Sequence, residues 1–144
     1  MSSEHRLLYV DSSVLLRAML GQSRAALLWW EETITRFQPL ISSRLTEVEV
    51  IRVIRRRGLL PDTAFEYLDE LNLVEIDDAI IKSAVSLEPV LSGADAIHVA
   101  TALEFQRGNI ILVTHDAEMA VAARELGLAV TDPVSDDPNR GPVS

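Results

Sequence analysis

Leu7-Leu8-Tyr9-Val10-Asp11-Ser12-Ser13 lies near the start of the chain, and Asn109-Ile110-Ile111-Leu112-Val113-Thr114-His115-Asp116 mirrors it far downstream. Each is an aliphatic run of strand length that stops at, or just short of, an aspartate. Runs that are apolar at every position, rather than at alternate ones, mark strands buried on both faces. Such strands belong to a parallel sheet covered by helices, where ligands bind beyond the carboxyl ends of the strands. Asp11 and Asp116 are therefore expected at one edge of one sheet.

Outward from these runs, helical patterns alternate with short apolar segments, as in an α/β fold. Helices are predicted over residues 13–20 and 25–34, the second carrying Trp29 and Trp30. A short strand at Pro39-Leu40-Ile41 is expected to stop at Ser42-Ser43. The helix over 45–57 should break at Gly58. Pro61-Asp62-Thr63 opens another helix, with Thr63 and Glu66 spaced as a capping box. A strand over 73–76 leads to Asp77-Asp78, whose charge suits the start of a helix running to about residue 87. The Ala-rich stretch 92–107 reads as one helix closed by Gly108. A helix over 115–126 ends at Gly127, before a last strand over 128–130. Residues 1–132 then form one domain, and 133–144, rich in Asp, Pro, Gly and Ser, form a flexible tail.

With 144 residues the chain can bury a core without staples. It has no cysteine, which excludes disulfides and thiolate metal sites and agrees with a reducing cytoplasm. No stretch resembles a signal peptide or approaches the ~20 apolar residues of a membrane span. The net charge of −9 argues against a general nucleic-acid binder. However, Asp132, Asp136 and Asp137 fall in the tail, carboxylates around a cation are partly neutralised by it, and Arg52, Arg55, Arg56 and Arg57 are clustered.

The candidate chemistry rests on acids. Asp11 and Asp116 each precede a helix, so each also has a reading as an N-cap. Asp95 lies in Ser92-Gly93-Ala94-Asp95, which matches a capping box, but the residues after it are small or aliphatic. An acid in such surroundings needs a partner or a metal to stay ionised. A fourth acid is Glu47 or Glu49, which point to nearly opposite sides of one helix. Glu47 falls within the apolar arc of Val50, Ile51, Val53 and Ile54, whereas Glu49 lies at its margin near Arg52 and Arg56. His98 reads as a hydrogen-bonded core histidine, and His115 lacks a second histidine at metal spacing.

Together, Val10-Asp11-Ser12-Ser13, Glu49-Val50-Ile51-Arg52, Gly93-Ala94-Asp95-Ala96-Ile97-His98 and Val113-Thr114-His115-Asp116 resemble the PIN domain. The likeness is greatest to the VapC-type toxins of toxin–antitoxin pairs. It runs from Leu7 to Asp132, with the four motifs in order. The resemblance implies a three-layer α/β/α sandwich with a central, mostly parallel sheet of four to five strands. It also implies a Mg²⁺- or Mn²⁺-dependent endoribonuclease, usually a homodimer, with a cognate antitoxin as partner. By the same likeness Asp11, Glu49, Asp95 and Asp116 form the catalytic, metal-holding set, with Ser13 supporting Asp11 and Thr114 supporting Asp116. Arg52 and Arg56 are candidates for RNA phosphates. Many relatives carry an acid just after the second strand, where this chain has Arg44.

Other chemistries fit less well. A phosphatase with Asp11 as nucleophile commonly needs an Asp two residues on, where Ser13 stands. A response-regulator receiver needs a lysine after a late strand, and Lys82 is the only lysine. A non-catalytic protein-binding module of the same fold would show no specific metal binding.

Overall fold

The computed structural model describes residues 6–138. Strand β1 (Leu7–Val10) sits at the centre of a five-stranded sheet. It is followed by α1 (Ser12–Met19), α2 (Arg24–Thr35), β2 (Leu40–Ser43), α3 (Arg44–Arg56), α4 (Asp62–Leu68) and β3 (Asn72–Val74). The chain continues through α5 (Asp78–Ser86), α6 (Gly93–Ala102), β4 (Ile110–Val113), α7 (Ala117–Glu125) and β5 (Ala129–Thr131). The strand order is β3-β2-β1-β4-β5, and every neighbouring pair is parallel.

Alternation along the strands divides the core in two. Leu8 and Val10 of β1, Leu40 of β2 and Val113 of β4 pack with Val14, Leu15, Trp30, Val50 and Ile54 of the first three helices. Tyr9, Ile41, Ile110 and Leu112 face the other way, onto Val99, Met119 and Ala123 of α6 and α7. Helices therefore cover both faces, and the three-layer sandwich is realised with five strands.

Strand order reverses between β1 and β4, so the crevice between their carboxyl ends is the switch point of the sheet. Register sets what stands there. Leu7 pairs with Ile110 and Val10 with Val113, which makes Asp11 and Thr114 neighbours.

Several boundaries differ from expectation, each for a local reason. Ser42 and Ser43 belong to β2 instead of ending it: the buried Ser42 hydroxyl donates to the Val10 carbonyl (2.6 Å) and meets Thr46 Oγ1 (2.6 Å). A satisfied hydroxyl is tolerated in a core strand. The capping box at Thr63 and Glu66 does not form. Pro61 already has a helical φ of −58° and is itself the cap residue, without a side-chain hydrogen bond. Helix α6 ends at Ala102 rather than near Arg107. The Thr101 hydroxyl bonds back to the Ile97 carbonyl (2.6 Å), and the turn that follows lays Leu103 and Phe105 on the second core cluster. The last long helix starts at Ala117, leaving His115 in the connection.

Residues 133–138, expected to be part of a flexible tail, fold back onto the domain. Val134 is only 1% exposed within the first core cluster. Asp136 accepts from Ser23 Oγ (2.6 Å) and from the Ala25 N–H (3.1 Å) at the start of α2. Residues 139–144 of that tail lie outside the described residues.

Candidate active site

Asp11 follows directly from β1 and is 2% exposed. As the N-cap of α1 it uses Oδ1 to accept from the Ser13 and Val14 N–H groups (3.1 and 3.4 Å) and from Ser13 Oγ (2.6 Å). Its other oxygen, Oδ2, accepts from Thr114 Oγ1 (2.6 Å), across the β1–β4 junction. Burial pushes its pKa up, and hydrogen bonds from Ser13 and Thr114, the nearby His98 and the Val14 N–H pull against it. Capping thus occupies only one oxygen of this carboxylate, and the cap and site readings coexist.

Thr114 serves both strand-end acids. Its hydroxyl serves the Asp11 carboxylate, and it touches Asp116 only by accepting from the Asp116 backbone N–H (3.0 Å). One threonine thereby ties the two strand-end acids together. Thr114→Val, which keeps the shape and deletes this donor, is expected to cost about 1–3 kcal/mol by leaving a buried carboxylate oxygen underserved. A urea unfolding midpoint unchanged from wild type contradicts this.

Asp95 stands in the first turn of α6, its N–H donating to Ser92 Oγ (3.2 Å). Its pKa is raised by partial burial first and by the Asp116 carboxylate second; Glu49 adds to the rise, while Ser92 and His98 oppose it. Asp116 caps α7, accepting from the Met119 N–H (2.9 Å) through Oδ1. Asp95, Asp116 and Glu49 therefore share one electrostatic neighbourhood, reached from three different helices.

Between the two glutamates the structure is unambiguous about direction. Glu49 Oε1 meets His98 Nε2 at 2.6 Å, beside the acids. Glu47 instead pairs with Arg44 (3.2 Å), which also reaches Glu75 (3.5 Å) beyond β3. Arg52 and Arg56 are exposed along the turns of α3 that follow Glu49.

Two features escaped the sequence reading. His98 is a core histidine, 1% exposed, but it also orients an acid: Nδ1 meets the Tyr9 hydroxyl (2.7 Å) while Nε2 holds Glu49. The available signal was its position three residues after Asp95, on the same helical face. Burial, and next the charge of Asp11, push the Tyr9 phenol far above its ordinary pKa, so it stays neutral. The second feature is His115, whose ring lies between Asp132 (2.8 Å) and Asp137 (2.6 Å). Nothing local in the sequence marks that arrangement.

Among the described residues no three His, Asp or Glu side chains converge into a ready-made metal cage. Mg²⁺ does not require one, because it keeps several waters and binds through one or two carboxylates plus substrate phosphate. The oxygen-only donor set at the switch point suits a hard cation, and a cation relieves the Asp116 repulsion that adds to burial in raising the Asp95 pKa.

The model of the PIN domain matches residues 8–125, which include all four acids. Ribonuclease VapC46 of Mycobacterium tuberculosis (strain ATCC 25618 / H37Rv) is 31% identical over 128 residues, covering 88% of this chain and 97% of the relative. Ribonuclease VapC47 of Mycobacterium tuberculosis (strain CDC 1551 / Oshkosh) is 28% identical over 132 residues, with the same coverage. Among solved structures, a toxin–antitoxin complex from Klebsiella pneumoniae superposes with a TM-score of 0.67 at 22% identity, covering 88% of this chain and 97% of that one. At that identity the last likeness speaks to the fold.

Proposed function

Since this chain belongs to the PIN domain family, we propose that it is a metal-dependent endoribonuclease and the toxin of a toxin–antitoxin pair. The observation that carries the reading is the buried Asp11 carboxylate, held by Ser13 and Thr114 at the sheet switch point, with Asp116 tied to it through Thr114 and Asp95 interacting with both Asp116 and Glu49. Its similarity to two relatives named ribonucleases supports RNA as substrate. The toxin–antitoxin architecture of a structural neighbour supports an antitoxin as partner, and a homodimer is the assembly we expect.

Asp11 and Asp95 are assigned as the principal holders of Mg²⁺ or Mn²⁺, with Glu49 and Asp116 completing the shell or positioning water. When bound, the cation supplies Lewis acidity, making a water more acidic and offsetting charge that grows on the scissile phosphate. The protein's part is preorganisation. Ser13 and Thr114 hold the Asp11 carboxylate in one orientation and favour its charged form against the burial that opposes it. His98 fixes Glu49 through Oε1, and the α7 N-terminus fixes Asp116. Arg52 and Arg56 are placed to contact RNA phosphates, which position the strand without reading its sequence. No helix among the described residues is long and apolar enough to cross a membrane, and cytoplasmic RNA is the substrate pool we assign.

The test is cleavage of RNA by wild type and Asp95→Asn with Mg²⁺, Mn²⁺ or a chelator. Wild type should cut only with metal, and the variant should be slower by at least about a hundredfold, beyond the loss typical of residues that merely support a ligand. Cleavage that survives both the chelator and the substitution sinks the assignment. Specific Mn²⁺ binding should accompany it; a protein-binding module would show none.

A further inference from the structure

Residues 132–138 lie beyond the part of the chain that the PIN model matches, yet they are fastened to the domain at four places, two of them on the residue next to Asp116. Asp132 Oδ2 meets His115 Nδ1 at 2.8 Å, and Asp137 Oδ2 meets His115 Nε2 at 2.6 Å, so both nitrogens of one imidazole are gripped. Between them Val134 is buried in the core and Asp136 is pinned to the start of α2. Asp132 also accepts from the Val134 N–H (2.9 Å), which closes the segment on itself.

The gripped residue is the middle of Thr114-His115-Asp116. The Thr114 N–H bonds to the Thr131 carbonyl (3.1 Å). The His115 N–H donates to Ser13 Oγ (3.0 Å), the same hydroxyl that donates to Asp11 Oδ1. The Asp116 N–H donates to Thr114 Oγ1, which serves Asp11 Oδ2. Displacing the His115 backbone therefore disturbs both hydroxyls that hold Asp11, and the start of the helix that Asp116 caps.

We propose that residues 132–138 form a strap that completes the active site, with Asp132 and Asp137 acting through His115 as positioning residues for Asp11 and Asp116. None of the three needs to touch RNA or metal. Partners that orient a ligand typically change metal affinity or activity by about ten- to a hundredfold when removed, and the strap belongs to that class. The inference rests on the ribonuclease reading above.

The test compares Asp137→Ala, His115→Phe and the double variant, with Asp137→Asn as the conservative change that keeps an accepting oxygen. Three readouts are needed: RNA cleavage with kcat and KM separated, Mn²⁺ affinity, and hydrogen exchange of the His115 and Asp116 amides. We expect each single variant to lower kcat about ten- to a hundredfold with KM little changed. Mn²⁺ affinity should weaken and both amides should exchange faster. The double variant should lose no more than His115→Phe alone, because that substitution already removes the Asp137 contact along with the Asp132 one, and Asp137→Asn should regain most of the activity. If Asp137→Ala fails to fold, the same readouts on Asp137→Asn and His115→Phe decide, and wild-type values in both overturn the strap. Unchanged kcat and Mn²⁺ affinity also overturn it, as does a rise in KM alone, which would make the segment an RNA-binding wall. If wild type cuts no RNA with any metal, the ribonuclease reading falls. Exchange and Mn²⁺ affinity then still decide the strap: faster exchange with weaker binding supports it, and no change overturns it.

Discussion

In Asp11→Asn protein, Mg²⁺-dependent RNA cleavage should fall at least about a hundredfold, while the metal-free fold becomes harder to melt. The two effects come from one carboxylate. Asn keeps the size of Asp11 and an oxygen for the Ser13 and Val14 N–H groups, so the cap on α1 survives. What disappears is a negative charge that burial makes costly, while the Thr114 hydroxyl must turn from donating to the carboxylate to accepting from the new amide. Because burial raises the folded-state pKa of Asp11, the folded protein holds its proton to higher pH than the unfolded chain does. The stability tied to that proton is fully present below the ordinary aspartate value of 3.8 and is lost as pH rises through the folded-state value. Asp95 is raised as well and acts in the same direction. Asp136 acts oppositely: hydrogen bonds from Ser23 and the Ala25 N–H lower its pKa, so its contribution is present above 3.8 and lost as pH falls through its lowered value.

A series of melting curves without metal resolves these windows. Above the ordinary aspartate range Asp11→Asn should melt higher than wild type, by on the order of 3 °C for each kcal/mol recovered. The gap should close as the solution is acidified. Adding Mg²⁺ should raise the wild-type melting temperature by ligand linkage and leave the variant nearly unmoved. A variant that melts lower than wild type at neutral pH without metal would show that the charge is not the costly element.

Trp30→Ala should be the most damaging apolar truncation, costing about 3–5 kcal/mol out of a total of about 5–15 kcal/mol. Trp30 is 7% exposed, packs in the first core cluster, and lies 4.9 Å from the Tyr67 ring, centroid to centroid, at a 31° tilt. It thereby joins α2 to α4 under the sheet. Its neighbour Trp29 is only partly buried, so Trp29→Ala should cost much less. Urea unfolding of the two variants checks this, and equal losses would contradict the inside–outside split of the pair.

Where the chain's own physics is local, the fold and site could be read before any coordinates. Leu7–Val10 and Ile110–Val113 are apolar at every position because both faces of a central parallel strand are covered, and that pattern placed Asp11 and Asp116 at one edge. Asp77 capping α5, and Asp11 and Asp116 capping their helices, follow from side-chain chemistry within a few residues. What stayed hidden depends on register between distant strands. Thr114 serves Asp11 because Val10 pairs with Val113, which no local pattern reveals. The two carboxylates on His115, like the seating of Val134, need the whole domain assembled first. That Glu49 meets His98 while Glu47 meets Arg44 is again a long-range fact. Residues 133–138 look like a linker by composition, and three buried or bonded side chains hold them down, which again depends on distant partners.

The pairing of β1 with β4 has a kinetic consequence. The strand at the middle of the sheet is synthesised about a hundred residues before its neighbour on one side. At about 5–20 residues per second that interval lasts roughly 5–20 s, during which no switch point exists. Such non-local parallel pairing is also slow to form once both strands are present. A chain cut short before Val113 therefore has no crevice at all.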